Sequence, residues 1–318
     1  MTKEEVLQIL RESQDHVSGE QLAGALNVTR SAVWKQIRAL TKDGYVIDSQ
    51  QNKGYKLIST PDLLYPSEVK NGLQTKLIGN KVIHFSLTTS TNNVARQLAE
   101  KGVDEGAVVI AEAQTKGKGR RGRKFVANKG GVWMSLILRP RIDPMHASNI
   151  TIMAAVSVTK ALRSLGVEAV IKWPNDVLVN GKKICGILTE MTAETDVVNF
   201  IILGIGINVN NDIPLETATS VRVELGRDAD RLKFLQSLLE ELESDYLTLK
   251  DEGFDPILWN WRRYSDTLGR PVEVTYQDEV IKGMAQDVSE DGSLIVKQQD
   301  GSVKKIVSGD CKHLRSIK

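Results

Sequence analysis

Three short stretches in the first forty residues carry apolar positions at helical spacing. They contain Leu7, Ile9 and Leu10, then Leu22, Ala23 and Leu26, and finally Val33, Ile37 and Leu40. Ser18, with Gln21 three residues later, fits a capping box, and Thr29 is a candidate N-cap for the third stretch. Because only a tight turn at Asn27-Val28 separates the last two stretches, they are predicted to form a helix-turn-helix.

The pattern changes after Gly44, where YVIDSQQNKGYKL alternates between apolar and polar residues. Such alternation is typical of half-buried strands, and Asn52-Lys53-Gly54 supplies the residues of a turn between them. A helix-turn-helix followed by a hairpin predicts a winged helix-turn-helix domain over residues 1–62.

A linker is predicted next, because residues 58–68 hold two prolines and show no clear period. Seven strand-like runs follow, namely KVIHF, AVVIAEA, GVWMSLILR, AVIKW, DVLV, KKICGILTE and NFIILGIGINV. Helical patterns lie between or after them at 91–101, 148–165 and 230–250. We therefore expect an α+β domain over residues 63–268, with a large mixed sheet and helices on one side.

The last fifty residues contain short alternating strands separated by Asp291-Gly292 and Asp300-Gly301. This pattern predicts a small SH3-like β-barrel over residues 269–318. The fold class expected for the whole chain of 318 residues is therefore multidomain α+β.

Charge is nearly balanced over the chain, with 42 Lys and Arg against 40 Asp and Glu, so any nucleic-acid surface must be local. Six basic and two acidic residues lie in residues 28–57, whereas one basic and five acidic residues lie in residues 4–20. The second helix of the helix-turn-helix and the hairpin are therefore predicted to face DNA. The candidate DNA contacts are Thr29, Arg30, Ser31, Trp34, Lys35, Arg38 and Lys53. Two alternatives stay open: a winged helix used only for protein contacts, and a Trp34 that merely packs against neighbouring helices.

Several other classes of protein are disfavoured by the sequence. The N-terminus is acidic and periodic, no apolar run has the length of a membrane span, and Cys185 and Cys311 lack zinc-ligand spacing. We expect a soluble cytoplasmic protein without a membrane partner.

Polar residues interrupt the strand pattern of the central region at four places. They are Thr89-Ser90-Thr91-Asn92, the basic loop TKGKGRRGRKF at 115–125 preceded by Gln114, KWPND at 172–176 with GKK at 181–183 and Cys185-Gly186, and GIGINVN at 204–210. The first could be only a helix N-cap. The basic loop could grip DNA, hold a small phosphate ligand or be a solvated loop.

The third stretch points to an anionic ligand. Asn180-Gly181 is a strong hairpin signal, and this hairpin would return Lys183 to Asn175 and Asp176. Two ammonium groups, a carboxylate and an amide would then converge, which suits a phosphate ester; the alternative is an exposed hairpin tip. GIGIN lies within a strand, so it is not a dinucleotide-binding fingerprint, and the chain has no GxxxxGK[ST] phosphate loop.

In this order the motifs closely resemble those of the bifunctional biotin–protein ligases that also repress the biotin operon. The resemblance rests on STN, Q-x-x-G-K-G-R-R-G-R, KWPND-x-x-x-x-G-x-K-x-x-G-I-L and GIGINV, and it extends over the winged helix and the C-terminal strands. It implies that biotin reacts with MgATP to give biotinyl-5′-AMP and pyrophosphate. A lysine of a biotin carboxyl carrier protein then attacks the adenylate.

The resemblance also implies a role for each candidate residue. The biotin-side positions are Ser90, Thr91, Asn92, Gln114, Gly117, Lys118, Arg120, Lys183, Gly186 and Gly204. The nucleotide-side positions are Arg120, Arg121, Arg123, Phe125, Lys172, Asn175, Lys183, Asn208 and Arg315. Arg120, Lys183 and Asp176 are the expected catalytic residues, with Asp176 orienting the acceptor lysine. Phe125 and Lys118 depart from the Trp and Arg that are common in the family, and Arg315 could instead be a solvated tail charge.

Further expectations follow from the resemblance. The partners would be the carrier proteins of acetyl-CoA carboxylase and other biotin-dependent carboxylases, and biotin operator DNA bound by a homodimer carrying biotinyl-5′-AMP. The basic loop would be a lid, disordered when empty and ordered over the adenylate. Three alternatives remain: a ligase with a vestigial winged helix, a lipoate-type ligase or octanoyltransferase, and a transcription factor that senses a metabolite without catalysis.

Overall fold

The computed structural model describes residues 2–194, 197–276 and 279–314. The chain divides into two compact units, Met1–Leu63 and Leu64–Lys318. Arg315, which was predicted to contact the nucleotide, lies outside the described residues. Within the described ranges, no helix combines the length and the apolar composition needed to cross a membrane.

The first unit has the predicted helix-turn-helix and hairpin. Its elements are α1 (Lys3–Glu12), α2 (Gly19–Ala25), α3 (Arg30–Lys42), β1 (Val46–Gln50) and β2 (Gly54–Ser59). Ser18 and Gln21 form the predicted capping box at α2, and the Thr29 hydroxyl accepts a hydrogen bond from Ala32 N–H at the start of α3. β1 and β2 pair antiparallel, and Asn52 in their turn has a positive φ of 65°.

The second unit contains a seven-stranded sheet and six α-helices among the described residues. The strands are β3 (Val82–Phe85), β4 (Val108–Ala111), β5 (Val132–Leu138), β6 (Val170–Lys172), β7 (Asp176–Val179), β8 (Lys182–Glu194) and β9 (Val197–Ile207). The helices are α4 (Pro66–Lys70), α5 (Thr91–Glu100), α6 (Ser148–Ser164), α7 (Val221–Leu225), α8 (Arg231–Asp251) and α9 (Asp255–Tyr264). The strand order is β3-β4-β5-β9-β8-β7-β6. Because β3 and β4 are parallel and the other pairs antiparallel, the predicted mixed sheet is confirmed.

The expectation that helices cover one side of the sheet is wrong. α6 and α8 contribute to a large core on one face, whereas α5 packs on the other face with Val109, Ile137 and Ile202. The reason lies in strands such as β5, whose seven residues are all buried, so that both faces need a cover. Near the N-terminal end of α5, β8 and β9 carry Gly186, Gly204 and Gly206.

A buried ion pair joins the core elements of this unit. Arg231 at the start of α8 donates to the Glu112 carboxylate at 2.9 Å, and both side chains are almost fully buried. His84 Nε2 lies 3.0 Å from Glu112, and the Leu64 N–H donates to the same carboxylate at 2.9 Å. Burial alone would raise the pKa of Glu112, but the hydrogen bond with His84 and the positive charge of Arg231 outweigh it, so this pKa lies below its ordinary value.

The C-terminal strands form a five-stranded antiparallel sheet. They are β10 (Pro271–Tyr276), β11 (Glu279–Val288), β12 (Leu294–Lys297), β13 (Val303–Ile306) and β14 (Asp310–His313), in the order β13-β12-β11-β10-β14. The Asp291-Gly292 and Asp300-Gly301 turns lie between strands as predicted, with positive φ at both glycines. β13 and β14 are the two edges of this sheet, and no hydrogen-bonded pairing of its described strands closes a barrel.

Candidate active site

A cleft of about 490 Å³ lies where the polar stretches of the sequence meet. Fourteen of the predicted residues line it: Ser90, Thr91, Asn92, Gln114, Lys118, Arg120, Arg123, Phe125, Lys172, Asn175, Asp176, Lys183, Gly186 and Gly204. Segments about a hundred residues apart in sequence are therefore brought together by the sheet. The described residues Gly117, Arg121 and Asn208 do not line it.

The start of α5 forms a polar pocket at one end of the cleft. Ser90 is the N-cap residue and is buried, yet its side chain makes no capping hydrogen bond. Instead, Gln114 Oε1 accepts from the Thr91 N–H at 2.8 Å and from the Thr91 hydroxyl at 3.2 Å. Gln114 Nε2 has no hydrogen-bond partner among the described residues, so it is available to a ligand acceptor.

Asn92, next to Thr91 in this pocket, is fixed by hydrogen bonds to two strands. The Ser135 hydroxyl lies 2.6 Å from Asn92 Oδ1, and Asn92 Nδ2 donates to the Glu190 carboxylate at 2.8 Å. A Cβ atom added at Gly204 would lie 2.1 Å from Asn92 Oδ1. Gly204 is therefore required by the packing of Asn92, irrespective of any contact with a ligand.

The basic loop has an ordered stem. Phe125 N–H donates to Gly117 O at 2.9 Å, and Gly119 N–H donates to Arg123 O at 2.7 Å. A Cβ at Gly117 would lie 2.3 Å from Phe125 O, which explains the glycine at that position. At the tip, Arg121 has a positive φ of 54°.

Phe125 lies over the glycines of the sheet. Its ring would be 2.7 Å from a Cβ at Gly206 and 3.2 Å from a Cβ at Gly186. The ring makes a T-shaped contact with Trp133, with ring centroids 5.7 Å apart. The glycines thus create a shallow apolar floor on which a flat group can rest, and Phe125 is the residue of the basic loop that contacts it.

The hairpin at Asn180-Gly181 returns Lys183 to the cleft as predicted. Lys183 Nζ lies 2.6 Å from Asp176 Oδ1. Arg120 Nη1 donates to Asn175 Oδ1 at 3.2 Å and to Gly309 O at 3.0 Å. Burial lowers the pKa of Arg120 below its ordinary value, against the opposing effect of nearby carboxylates. A half-buried guanidinium and a lysine that line the same cleft can bind an anionic ligand.

The charges of the cleft favour an anionic ligand. Seven cationic side chains line it, against the two carboxylates of Asp176 and Asp310. The cationic residues are Lys118, Arg120, Arg123, Lys124, Lys172, Lys183 and Lys312. In a concave site, such an excess raises the local concentration of polyanions.

Residues from the C-terminal sheet also line the cleft, and the sequence did not identify them. They are Thr275, Gly309, Asp310, Cys311 and Lys312. They lie on or next to β10 and β14, where alternating polar and apolar residues indicated only strand structure. Burial raises the pKa of Cys311 to about 11, so its thiol is neutral at ordinary pH.

Asn208 is occupied by its own loop. Its Nδ2 donates to Thr219 O at 3.1 Å, and its Oδ1 accepts from Asn211 Nδ2 at 3.0 Å. The amide can make one more hydrogen bond from Nδ2 and accept one more at Oδ1, and the contact with a nucleotide stays a prediction. Within the described residues, no group of three or more His, Cys, Asp and Glu side chains is arranged to hold a metal ion.

Comparison with known proteins gives three family matches. Residues 84–208 match the model of the biotin/lipoate A/B protein ligase family, residues 2–56 match an HTH domain, and residues 267–314 match the biotin protein ligase C terminal domain. The chain is 40% identical over 304 residues to the bifunctional ligase/repressor BirA of Bacillus subtilis, covering 93% of both proteins. The chain belongs to the bifunctional ligase/repressor family.

Two proteins named as biotin ligases are also similar to a large part of this chain. The biotin–[acetyl-CoA-carboxylase] ligase of Paracoccus denitrificans is 33% identical over 224 residues, covering 67% of this chain and 93% of that protein. The biotin protein ligase of Aquifex aeolicus in complex with biotin and ATP superimposes with a TM-score of 0.64 at 30% identity, covering 74% of this chain and all of that one.

In this family member, the helix-turn-helix unit presents the predicted DNA-contacting side chains to solvent. All seven predicted residues, Thr29, Arg30, Ser31, Trp34, Lys35, Arg38 and Lys53, are exposed. Trp34 is 49% exposed, and the Arg38 guanidinium lies 4.7 Å from its ring centroid. Trp34 therefore contributes to a basic surface and is not part of the core of its unit.

Proposed function

We propose that this protein activates biotin with MgATP to biotinyl-5′-AMP and transfers the biotinyl group to a lysine of a biotin carboxyl carrier protein. One observation carries the proposal: Arg120 and the Lys183–Asp176 pair line the same cleft as the polar pocket at the start of α5. The relatives named as biotin ligases support the choice of biotin.

In the first step, a carboxylate oxygen of biotin attacks the α-phosphorus of ATP, and the bond to the β-phosphate oxygen breaks. Two anions must approach each other, so the main task of the protein is to neutralise charge with preorganised cations. Arg120 and Lys183 would contact the biotin carboxylate and the α-phosphate. Mg²⁺ would enter with the nucleotide and leave with pyrophosphate.

The ureido head of biotin would bind in the polar pocket. Its carbonyl oxygen accepts hydrogen bonds and its two N–H groups donate them, so small hydroxyl groups and an amide suit it. Ser90, Thr91 and Gln114 would supply these groups, and Asn92 would hold the pocket in shape. Gly186 and Gly204 belong to the floor beneath, while Gly117 and Lys118 would approach biotin from the basic loop.

In the second step, the lysine amine of the carrier attacks the acyl carbon of the adenylate and AMP leaves. The incoming ammonium must lose a proton and be directed to the carbonyl, and Asp176 would orient it. The closed basic loop would exclude water, which otherwise hydrolyses the mixed anhydride.

The nucleotide would be held mainly by the basic loop and the strand ends. Arg121, Arg123, Lys172 and Asn175 would contact the phosphates, and Phe125 would pack by the adenine. Asn208 and Arg315 complete the proposed nucleotide side.

The C-terminal sheet would close over this site as an SH3-like barrel. The proposed domains are 1–62, 63–268 and 269–318. ATP and the carrier subunits of carboxylases imply a cytoplasmic location.

The ligase proposal is tested with purified protein, ATP, an apo-carrier domain, and labelled biotin or labelled lipoate in parallel. We expect label in the carrier from biotin only, with the Lys183→Met variant greatly reduced in activity. Labelling from lipoate alone would assign the chain to the lipoate-type enzymes, and no labelling from either would leave a sensor without catalysis.

We further propose that the protein represses biotin synthesis and transport genes, with biotinyl-5′-AMP as corepressor and a homodimer as the form that binds operator DNA. The exposed basic surface of α3, with Trp34 and Arg38, supports this role. The alternative is a ligase whose winged helix no longer binds an operator.

A gel shift on DNA upstream of the organism's own biotin genes separates these two possibilities. The shift should need biotin plus ATP, weaken with salt and fall when Lys35 and Arg38 are replaced by Ala. A shift that is absent or independent of the adenylate would remove the repressor proposal.

A further inference from the structure

The tip of the basic loop contacts the C-terminal sheet through three arginines. Arg123 and Arg121 both pair with the Asp310 carboxylate, the latter at 3.6 Å from Nη1 to Oδ2. Arg120 Nη1 donates to the neighbouring carbonyl oxygen of Gly309 at 3.0 Å. Three side chains within four residues of the loop therefore converge on two residues of one short segment.

The rest of the loop is held differently. Its base is fixed by backbone hydrogen bonds, with Thr115 N–H donating to Thr88 O at 2.9 Å and Lys116 N–H donating to Thr89 O at 2.8 Å. Beyond the stem, the hydrogen bonds and ion pairs of the described tip side chains run to Asn175, Gly309 and Asp310. Apart from the bond to Asn175, the tip is thus held by residues of the C-terminal sheet or next to it.

Asp310 is well placed to serve as an anchor. It begins β14 and pairs in register with Thr275 of β10, so its backbone is held by the sheet. Its side chain is 23% exposed, whereas those of Arg121 and Arg123 are 46% and 65% exposed. A carboxylate on a hydrogen-bonded strand thus holds two more exposed cations that would otherwise repel each other.

We infer that Asp310 is a positioning residue that clamps the basic loop over the cleft and thereby retains the activated intermediate. The inference rests on the proposed ligase function for the identity of that intermediate. Asp310 cancels one of the three arginine charges at the tip, and two positive charges remain to meet an anionic ligand. The clamp would act through Arg121 and Arg123, without contact between Asp310 and the reacting atoms.

The clamp predicts a specific pattern of loop opening. Hydrogen exchange of the 115–125 peptide, followed by mass spectrometry on the full-length unliganded protein, reads opening without any need for catalysis. We expect Asp310→Asn to raise the exchange rate of the tip amides by up to about fivefold, the range for a partly exposed ion pair. Adding Arg123→Gln to Asp310→Asn should change the rate little further, because both substitutions break one interaction.

A matched control comes from the same sheet. Asp287 on β11 makes an ion pair with Arg262, at 2.8 and 2.9 Å, and does not line the cleft. Asp287→Asn should leave exchange of the loop unchanged. Equal acceleration by both variants, or additive effects of Asp310→Asn and Arg123→Gln, would overturn the clamp.

The clamp also predicts how fast biotinyl-5′-AMP is lost from the protein. In single turnovers without carrier, Asp310→Asn should speed loss of biotinyl-5′-AMP by up to about fivefold, while the affinity for biotin stays the same. If Asp310→Asn exchanged its loop amides faster but lost biotinyl-5′-AMP at the wild-type rate, Asp310 would have no role in retaining the intermediate. If the wild-type protein formed no adenylate at all, the proposed function would fail while the exchange result on the loop would still stand.

Discussion

At Arg120, a guanidinium group is held between Asn175 Oδ1 and the backbone carbonyl of Gly309. Both partners are neutral acceptors, so the positive charge is oriented without being cancelled by a direct ion pair. The carboxylates of Asp310 and Asp176 act on it from farther away. This is the arrangement needed where an anion must form and be stabilised during a reaction.

Replacing Arg120 with Gly should loosen retention of the adenylate more than it weakens biotin binding. Hydrogen bonds to charged groups contribute about 1.5–3 kcal/mol, so release of biotinyl-5′-AMP should accelerate by about tenfold or more. Rapid gel filtration after a single turnover measures this release. Arg262→Gly, which removes an arginine outside the cleft, should behave like wild type, and an unchanged release rate in Arg120→Gly would refute the assigned role.

Gly204→Ala tests the support beneath the polar pocket. The added Cβ would lie 2.1 Å from Asn92 Oδ1, so Asn92 must move and the hydrogen bond with Ser135 must change. We expect biotin affinity to fall and stability to drop by about 1–3 kcal/mol, as for other overpacked sites. Calorimetric titration with biotin and thermal unfolding measure the two effects.

Gly24→Ala is the matched control. An added Cβ meets no heavy atom within 4 Å at this position in α2, so the substitution should be neutral or stabilising by up to about 1 kcal/mol. Normal biotin affinity in Gly204→Ala would show that the pocket does not depend on this packing.

Among the contacts between elements, the buried Glu112–Arg231 pair joins the residue that follows β4 to the start of α8. Arg231→Met would leave Glu112 buried without its charge partner, which should cost the second unit about 3–5 kcal/mol of stability near neutral pH. Because the folded-state pKa of Glu112 lies below its unfolded value of 4.5, the stabilisation by this carboxylate is present above that pH and is lost as pH falls further.

The loss of stability caused by Arg231→Met should therefore be smaller in acid, where Glu112 becomes protonated. Thermal unfolding at several pH values measures it. Arg222→Met, which breaks an exposed pair with Asp212, should cost no more than about 1 kcal/mol. A small, pH-independent effect of Arg231→Met would contradict the importance of the buried pair.

The helices and strands with a long apolar period were predictable from sequence. The patterns at 91–101, 148–165 and 230–250 correspond to α5, α6 and α8, and all seven strand-like runs are strands. α4 and α7 were missed because five residues are too few for a helical period. α9 was also missed, although its ten residues bury Ile257, Leu258 and Trp261. The prediction that the helices lie on one side of the sheet was also wrong. The spacing of apolar residues within a helix does not reveal the face of the sheet on which that helix packs.

Only part of the candidate site could be predicted from the sequence. Polar residues that interrupt apolar strands, such as Asp176 and Gln114, stood out against their neighbours. Asp310 did not, since it begins a short alternating strand in which polar residues are ordinary. Its pairing with the basic loop joins segments almost two hundred residues apart, and no local pattern carries that information.

For the whole molecule, the proposed function requires ligands to act on the second unit. A ligand that binds only the folded form stabilises it by about 2.7 kcal/mol at a hundredfold excess over its Kd. Biotin plus ATP should therefore raise the midpoint of unfolding of this unit and leave that of the helix-turn-helix unit nearly unchanged. Calorimetry of the full chain measures both, and equal shifts of the two transitions would contradict a ligand site confined to the second unit.

Identification of the products formed without carrier protein would decide whether this protein makes an adenylate. The protein would be incubated with biotin and ATP labelled in the α-phosphate, passed rapidly through a gel-filtration column and examined by mass spectrometry. We expect biotinyl-5′-AMP bound to the protein and an equal amount of pyrophosphate in solution. Release of ADP and phosphate, or the absence of any protein-bound adenylate, would contradict this expectation.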